Sequence, residues 1–192
     1  MRAAGTALVL AGVLALTGCT SSSTVIRDET PSATAAPRPA GPSPAPSPTA
    51  SPVPGVLPVA PSAFTETALA AESKRTADAV QALIDPGAIV NVDDHSQLVT
   101  KNDGTGHYYG ILRTITLVPA TDATHLAQSM AATLLASGWL SRDSSDKGEV
   151  YLTGLASATD DASSWFLVIG GDDTTQGQSA LSIQMASPDI RP

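Results

Sequence analysis

Residues Thr121 to Trp139 read TDATHLAQSMAATLLASGW. Leu126, Met130 and Leu134 recur about one helical turn apart, Thr121 or Asp122 offers a side-chain oxygen to the first free N–H groups, and Gly138 supplies a left-handed C-terminal cap. The segment is therefore predicted as an α-helix with one apolar stripe, and Trp139 as folding back on its last turn. A single stripe needs a surface to cover, and the flanking sequence supplies strands.

Toward the N-terminus, His107 to Val118 alternates as a strand. Tyr109, Ile111, Ile115 and Leu117 share one face, Arg113 interrupts it, and the other face, with Thr114 and Thr116, is more polar. Two shorter strands, Ala88 to Val92 and Gln97 to Thr100, are predicted before the turn at Asn102 to Gly106. Ahead of them a helix is predicted from Ala63 to Ile84, with Ser62 after Pro61 as N-cap and Asp85-Pro86-Gly87 as its stop. Leu69, Thr76, Val80, Leu83 and Ile84 share one side of it, and Lys74, Arg75 and Asp78 face water. Toward the C-terminus three strands are predicted: Glu149 to Leu155, Ser164 to Ile169 and Ala180 to Met185, the last two joined by a loop from Gly170 to Gly177. Leu181, Ile183 and Met185 alternate inward, and Phe166 and Val168 are expected to do the same. Helix, strands, helix, three strands implies an α+β domain over 62–192, an antiparallel sheet with two helices packed on one face.

Composition bounds the partners. Hydrophobic residues make up 42% of the chain but aromatics only 4%, so the core must be largely aliphatic. Formal net charge is -8, and loss of residues 1–18 would remove only Arg2 and leave -9. Such a chain repels phosphate, and its ten basic residues are scattered, which argues against nucleic acid and against adsorption to anionic head groups. The single cysteine rules out an intramolecular disulfide.

Met1 to Gly18 carries Arg2, then an apolar run from Thr6 to Leu16 and small residues. That run is shorter than the roughly 20 residues a permanent span requires, so it is predicted as a cleavable signal peptide. Leu16-Thr17-Gly18-Cys19 resembles the lipobox of bacterial prolipoproteins at all four positions. The resemblance implies cleavage before Cys19, acylation of Cys19, and a palmitate-bearing anchor at the outer face of the cytoplasmic membrane. Two acyl chains, at about 0.8 kcal/mol per buried methylene, hold a protein more firmly than one.

Residues 19–61 are predicted as the lipidated cysteine and a disordered tether of Pro, Ala, Ser and Thr, including the run Pro37 to Pro48. Such a segment buries too little apolar surface to offset its ordering entropy, and in polyproline II form it would reach on the order of 100 Å. The same run could serve as a PxxP ligand or an O-glycosylated stalk, though spacer is the preferred assignment. The Ala-rich helix ending in Ser-Gly-Trp, followed by a strand meander, resembles small uncharacterised actinobacterial cell-envelope lipoproteins. That resemblance implies a fold and a location and brings no activity with it.

No motif carries chemistry in the globular part. His95, His107 and His125 lie in different predicted elements without a ligand-spaced partner, and Asp93-Asp94-His95 is read as a solvated loop. Asp160-Asp161 and Asp172-Asp173 are read as turn residues. Asp143 to Gly148 resembles a calcium loop only faintly, since Lys147 takes a ligand position and no closing Glu follows. Trp139 and Trp165 are assigned to the core rather than to a ligand site. No catalytic residue, cofactor or metal is assigned, and Cys19 is the one site residue named. The expectation is a membrane-anchored extracytoplasmic lipoprotein displaying a non-enzymatic binding domain for an envelope protein or a cell-wall component. A small-ligand or lipid carrier is the alternative and an uncharacterised hydrolase the third.

Overall fold

The computed structural model describes residues 50–190. Residues 1–18, expected to be a signal peptide, Cys19 and the run Pro37 to Pro48 lie outside the described residues. Within them α1 (Glu66–Gln81) leads through a 3-10 turn (Pro86–Ala88) into β1 (Ile89–Thr100) and β2 (His107–Leu117). Then follow α2 (Ala123–Ala136), β3 (Leu140–Asp146), β4 (Val150–Ala156), β5 (Phe166–Asp172) and β6 (Ser179–Ala186). The six strands form one sheet in the order β1-β2-β6-β5-β4-β3, every neighbour antiparallel. After β2 the chain crosses through α2 to the far edge, then meanders back until β6 closes against β2. The α+β class holds, with α1 against β2 and β6 and α2 against β4, β5 and β6.

Register sorts the residues of the sheet onto two faces. On the covered face Ile111, Met185 and Leu167 line up across β2, β6 and β5, with Leu155 beside them on β4. Ile115 and Leu181 align with Gly171 in a second row. These apolar side chains form the core with Leu69, Ala77, Val80, Ala127, Met130 and Leu134 of the helices. The inward side of α2 is built more from alanine than expected. Ala123, Ala127 and Ala131 are buried beside Met130 and Leu134, whereas Leu126 is only partly covered.

Several boundaries differ from the sequence expectation, each for a local reason. Helix α1 starts at Glu66 because Thr65, not Ser62, is its N-cap, accepting from the Ala68 N–H; Phe64 is still outside the helix, its ring 6.5 Å from Trp165. It stops at Gln81, although Ile84 in the following turn remains buried. The two short strands expected between Ala88 and Thr100 are one strand. Asp93, Asp94 and His95 pair with Thr114, Arg113 and Leu112 of β2, so the acidic stretch stays in the ladder. Arg113, 3% exposed, is what makes this favourable: its Nε donates to Asp94 Oδ2 at 2.6 Å, Nη2 to Asp78 Oδ1 at 2.6 Å and Nη1 to Gln81 Oε1 at 3.1 Å. A buried cation without such partners would be costly. Asp78, expected simply in water, is thus half of a clamp between α1 and the sheet.

Strand β3 was not anticipated. Its sequence LSRDSSD has no apolar alternation, and it is formed by pairing with β4, with a bulge at Arg142. A short, polar, bulged strand suits an exposed edge. The expected facing of β5 is reversed: Leu167 and Ile169 are buried opposite Met185 and Ile183, and Phe166 and Val168 point the other way. Gly170, Gly171 and Asp172 belong to this strand rather than to a loop. Gly171 lies where α2 presses closest, since a Cβ there would fall 2.2 Å from the Ala123 carbonyl oxygen.

The folded unit also begins earlier than Ser62. Val56 is 1% exposed, and its carbonyl accepts from Trp139 Nε1 at 3.2 Å; the Val53 N–H donates to Ser137 Oγ at 2.8 Å. Arg75 donates to the carbonyls of Gly55 and Leu57, and Glu72 accepts from the Val59 N–H. The strap comprising residues 53–59 is therefore part of the domain, because it supplies a core side chain and the acceptor for a buried indole.

Two outcomes test these contacts. A chain beginning at Ala60 should melt lower than one beginning at Thr20, since Val56 is lost and the Trp139 N–H is left without its acceptor, each worth on the order of 1–3 kcal/mol; equal melting temperatures would remove the strap from the core. Gly171→Ala should lower the urea midpoint by an amount equivalent to about 1–3 kcal/mol or more, because the added methyl meets backbone. Gly154→Ala should cost less, its methyl meeting only the Asp143 carboxylate, which can swing away.

Candidate binding surface on the open sheet face

Both helices cover one face of the sheet, so the outward residues of every strand make a second surface. Register places Gln97, Gly110, Ala186, Phe166, Ala156 and Leu140 in one row across it. The next row is His95, Leu112, Gln184, Val168, Gly154 and Asp143, and a third is Asp93, Thr114, Ser182, Gly170, Leu152 and Ser145. Large apolar side chains stand in solvent here: Leu112 is 41% exposed, Leu152 44% and Phe166 36%. Small residues sit between them and leave depressions.

One depression, about 310 Å³, lies over Gly110 and Ala186 and is bounded by Val99, Tyr108, Leu112, Phe166, Val168 and the amides of Gln97 and Gln184. It shares Tyr108, Phe166 and Ala186 with a second of about 280 Å³ at the end of the sheet, which Lys101, Ser164 and Asp189 help to line. A third, about 290 Å³, lies over Gly170 and Ser182 between Thr114 and Leu152. At Gly170 a Cβ would come within 2.7 Å of Ser182 Oγ and 3.1 Å of Leu152 Cδ1, so glycine keeps this floor low.

The charges bordering the first two depressions are paired. Lys101 Nζ donates to Asp189 Oδ2 at 2.6 Å, Arg142 bonds Asp161, and His95 Nε2 lies 3.3 Å from Asp93 Oδ2. The Asp189 contact raises the Lys101 ammonium above its usual value. The Arg142 guanidinium also lies 5.8 Å from the Phe166 ring centroid, within cation–π range.

The residues singled out from the sequence are dispersed. His95 is on the open face, His107 begins β2 with Nδ1 3.2 Å from Thr100 Oγ1, and His125 is exposed in the first turn of α2. Among the described residues no group of three His, Cys, Asp or Glu side chains is placed to hold a metal ion. Asp93 and Asp94 face opposite sides of β1, and Asp143 and Asp146 opposite sides of β3, where Gln128 donates to Asp146. Asp160 closes its own turn by accepting from Ala162 N–H and Ser163 Oγ. Trp139 and Trp165 are 2% and 1% exposed and belong to the core; Trp165 Nε1 donates to Ser73 Oγ at 3.0 Å.

The acids near the start of α2 act on the backbone. Asp122 Oδ1 accepts from the His125 N–H and Thr124 Oγ1, and Asp173, reaching in from beyond β5, accepts from the N–H groups of Ala123 and Thr124. The helix thus has two capping carboxylates, only one of them on its own chain segment. A depression of about 450 Å³ adjoins them. The His125 N–H, followed by the Thr124 hydroxyl, holds the Asp122 carboxyl below its ordinary value, and the Thr124-like contacts from Thr174 do the same for Asp172.

The open-face residues were missed for a definite reason. Assigning Phe166 and Val168 inward hid two of them, and Thr114 and Thr116 made the outer face of β2 look polar although Tyr108 and Leu112 share it. Leu112, an apolar residue out of phase with Ile111 and Ile115, was the available signal.

Because Asp122 titrates lower in the folded protein than in the unfolded chain, its contribution is present above the unfolded value near 3.8 and disappears as pH falls through the folded value. Asp122→Asn keeps a capping oxygen, so stability at neutral pH should change by less than about 1 kcal/mol, while the decline below about pH 4 becomes shallower. His125→Ala should change stability at neutral pH little and make that decline slightly shallower, since the His125 charge also helps to lower the Asp122 carboxyl; chemical denaturation across pH measures this. No family model matches the chain, and neither does any curated protein or solved structure.

Proposed function

We propose that the chain is a lipoprotein held by lipid on Cys19 at the outer face of the cytoplasmic membrane. Its folded part is then a non-enzymatic binding domain that engages an envelope protein or a cell-wall component through the open sheet face. The observation that carries this is the sorting of charge on that face. On β2, β6 and β5 every outward residue from Tyr108 to Thr116, Ala180 to Ala186 and Phe166 to Gly170 is uncharged, with Asp172 entering only at the end of β5. The remaining charges stand on the edge strands β1 and β3. An apolar centre with a polar rim is the anatomy of an interface, and exposed apolar patches mark interaction sites. Strand spacing of about 4.8 Å and a rise of about 3.4 Å per residue give the face on the order of 600 Å², close to the roughly 800 Å² per partner of a specific interface. The depressions are open to solvent, which favours docking over the enclosed pocket a carrier would need.

Labelled palmitate should enter the wild-type protein and not Cys19→Ala; equal labelling of both would remove the anchor. Leu112→Asp should abolish proximity crosslinks formed in native cells, whereas Leu135→Asp, on the outer side of α2, should preserve them. The opposite pattern would move the binding surface to the helices.

A further inference from the structure

Resting on the open face as binding surface, we infer that the slot between Tyr108 and Phe166 is a site for a strand of uncharged glycan. Tyr108 and Phe166 stand on β2 and β5 with β6 between them, so their backbones lie about 10 Å apart laterally; Tyr108 is two residues beyond the Gly110–Ala186–Phe166 row, and its ring edge leans over Gly110, with Cε2 3.6 Å from where a Cβ there would stand. The floor between them is Gly110 and Ala186, and a Cβ at Gly110 would lie 3.1 Å from Val99 Cγ2. Gln97 and Gln184 border the same floor, both exposed, and each amide carries both donors and an acceptor.

Sugar rings combine an apolar C–H face with a hydroxyl edge, which matches aromatic walls and amide borders in one slot. An acyl chain would cover those amides without satisfying them, at a cost in free energy. Charge points the same way. Lys101, Arg142 and His95 around the slot face Asp189, Asp161 and Asp93, so they leave no excess positive potential for an anion, and the chain as a whole is at -8. The slot continues into the adjoining depression past Ala186, an opening that suits a linear polymer.

The test is a titration of isotopically labelled full-length protein in detergent micelles with chitotetraose, cellotetraose and maltotetraose, and with an anionic tetragalacturonate. At least one neutral tetrasaccharide should shift the amides of Gly110, Leu112, Gln184 and Ala186. Phe166→Ala should weaken it tenfold or more and Gln184→Leu severalfold, while Leu135→Ala leaves it unchanged; both site residues face solvent, so the fold survives. Silence of all three neutral probes, shifts confined to the helical side, or equal binding of the anionic probe overturns the glycan assignment. A photoreactive residue in place of Val168, at the border of the slot, separates the two ideas in living cells. An adduct released by muramidase supports the glycan, and an adduct with a protease-sensitive partner overturns it while leaving the binding face in place. No adduct at all overturns both.

Discussion

The alternation of β6 sets the rest of the domain. Leu181, Ile183 and Met185 face the helices, so Ala180, Ser182, Gln184 and Ala186 must face away, and β6 sits between β2 and β5 with every ladder pair fixed to it. Slipping β2 by one residue would exchange Ile111 and Ile115 for Leu112 and Thr116 on the covered side. An aromatic-poor chain has enough large aliphatic side chains to build one such core. Putting both helices on the same face concentrates that supply and leaves the other face to small, amide-bearing and isolated large residues. The candidate surface is thus a consequence of the packing.

Close approach is the second requirement. Helix α2 meets the sheet through alanines and Gly171, and the short distance that these allow lets Asp173 reach the N–H groups at its start. Arg113 does the corresponding work for α1, at the point where that helix covers the edge half of the sheet. Its three acceptors come from α1 and β1, so a single cation ties the first helix to the first two strands. Removing one carboxylate would leave a nearly buried charge underpaired, and for this reason the group is better described as a device for register and orientation than as a net source of stability.

How far the sequence disclosed all this depended on whether a feature was local. Helix α2, a cap at Thr121 or Asp122 and the inward set of β2 and β6 were legible, since period and capping chemistry are written in adjacent residues; the structure selects Asp122. The single strand β1 was not, because the stretch Asp93 to His95 stays in a ladder only once Arg113 is placed opposite, and β3 has no pattern apart from its partner. Phe166 was misassigned by an ordinary preference: in an aromatic-poor chain a phenylalanine is expected inside. Which of Phe166 and Leu167 faces inward is decided by the strand's partners, Ala186 and Met185, and that pairing is remote in sequence. The surface was therefore the least legible part, being defined by what the core leaves over.

The strap adds a directional argument. Residues 53–59 are fastened to Ser137, Trp139, Glu72 and Arg75, all of them on or next to the helices. Burial alone would raise the Glu72 carboxyl, but the hydrogen bonds from Arg75 and the Val59 N–H hold it below its ordinary value, so this fastening stays charged through the mildly acidic range. The chain consequently enters the domain on the helical side, and its entry does not compete for the open face of the sheet. If residue 19 carries lipid as proposed, a pull along the chain is taken up at Val56 and the Arg75–Glu72 pair, away from the strands that bear Tyr108, Leu112 and Phe166. A binding surface on the side opposite the point of attachment can be loaded without disturbing the contacts that hold the domain to its own leading segment.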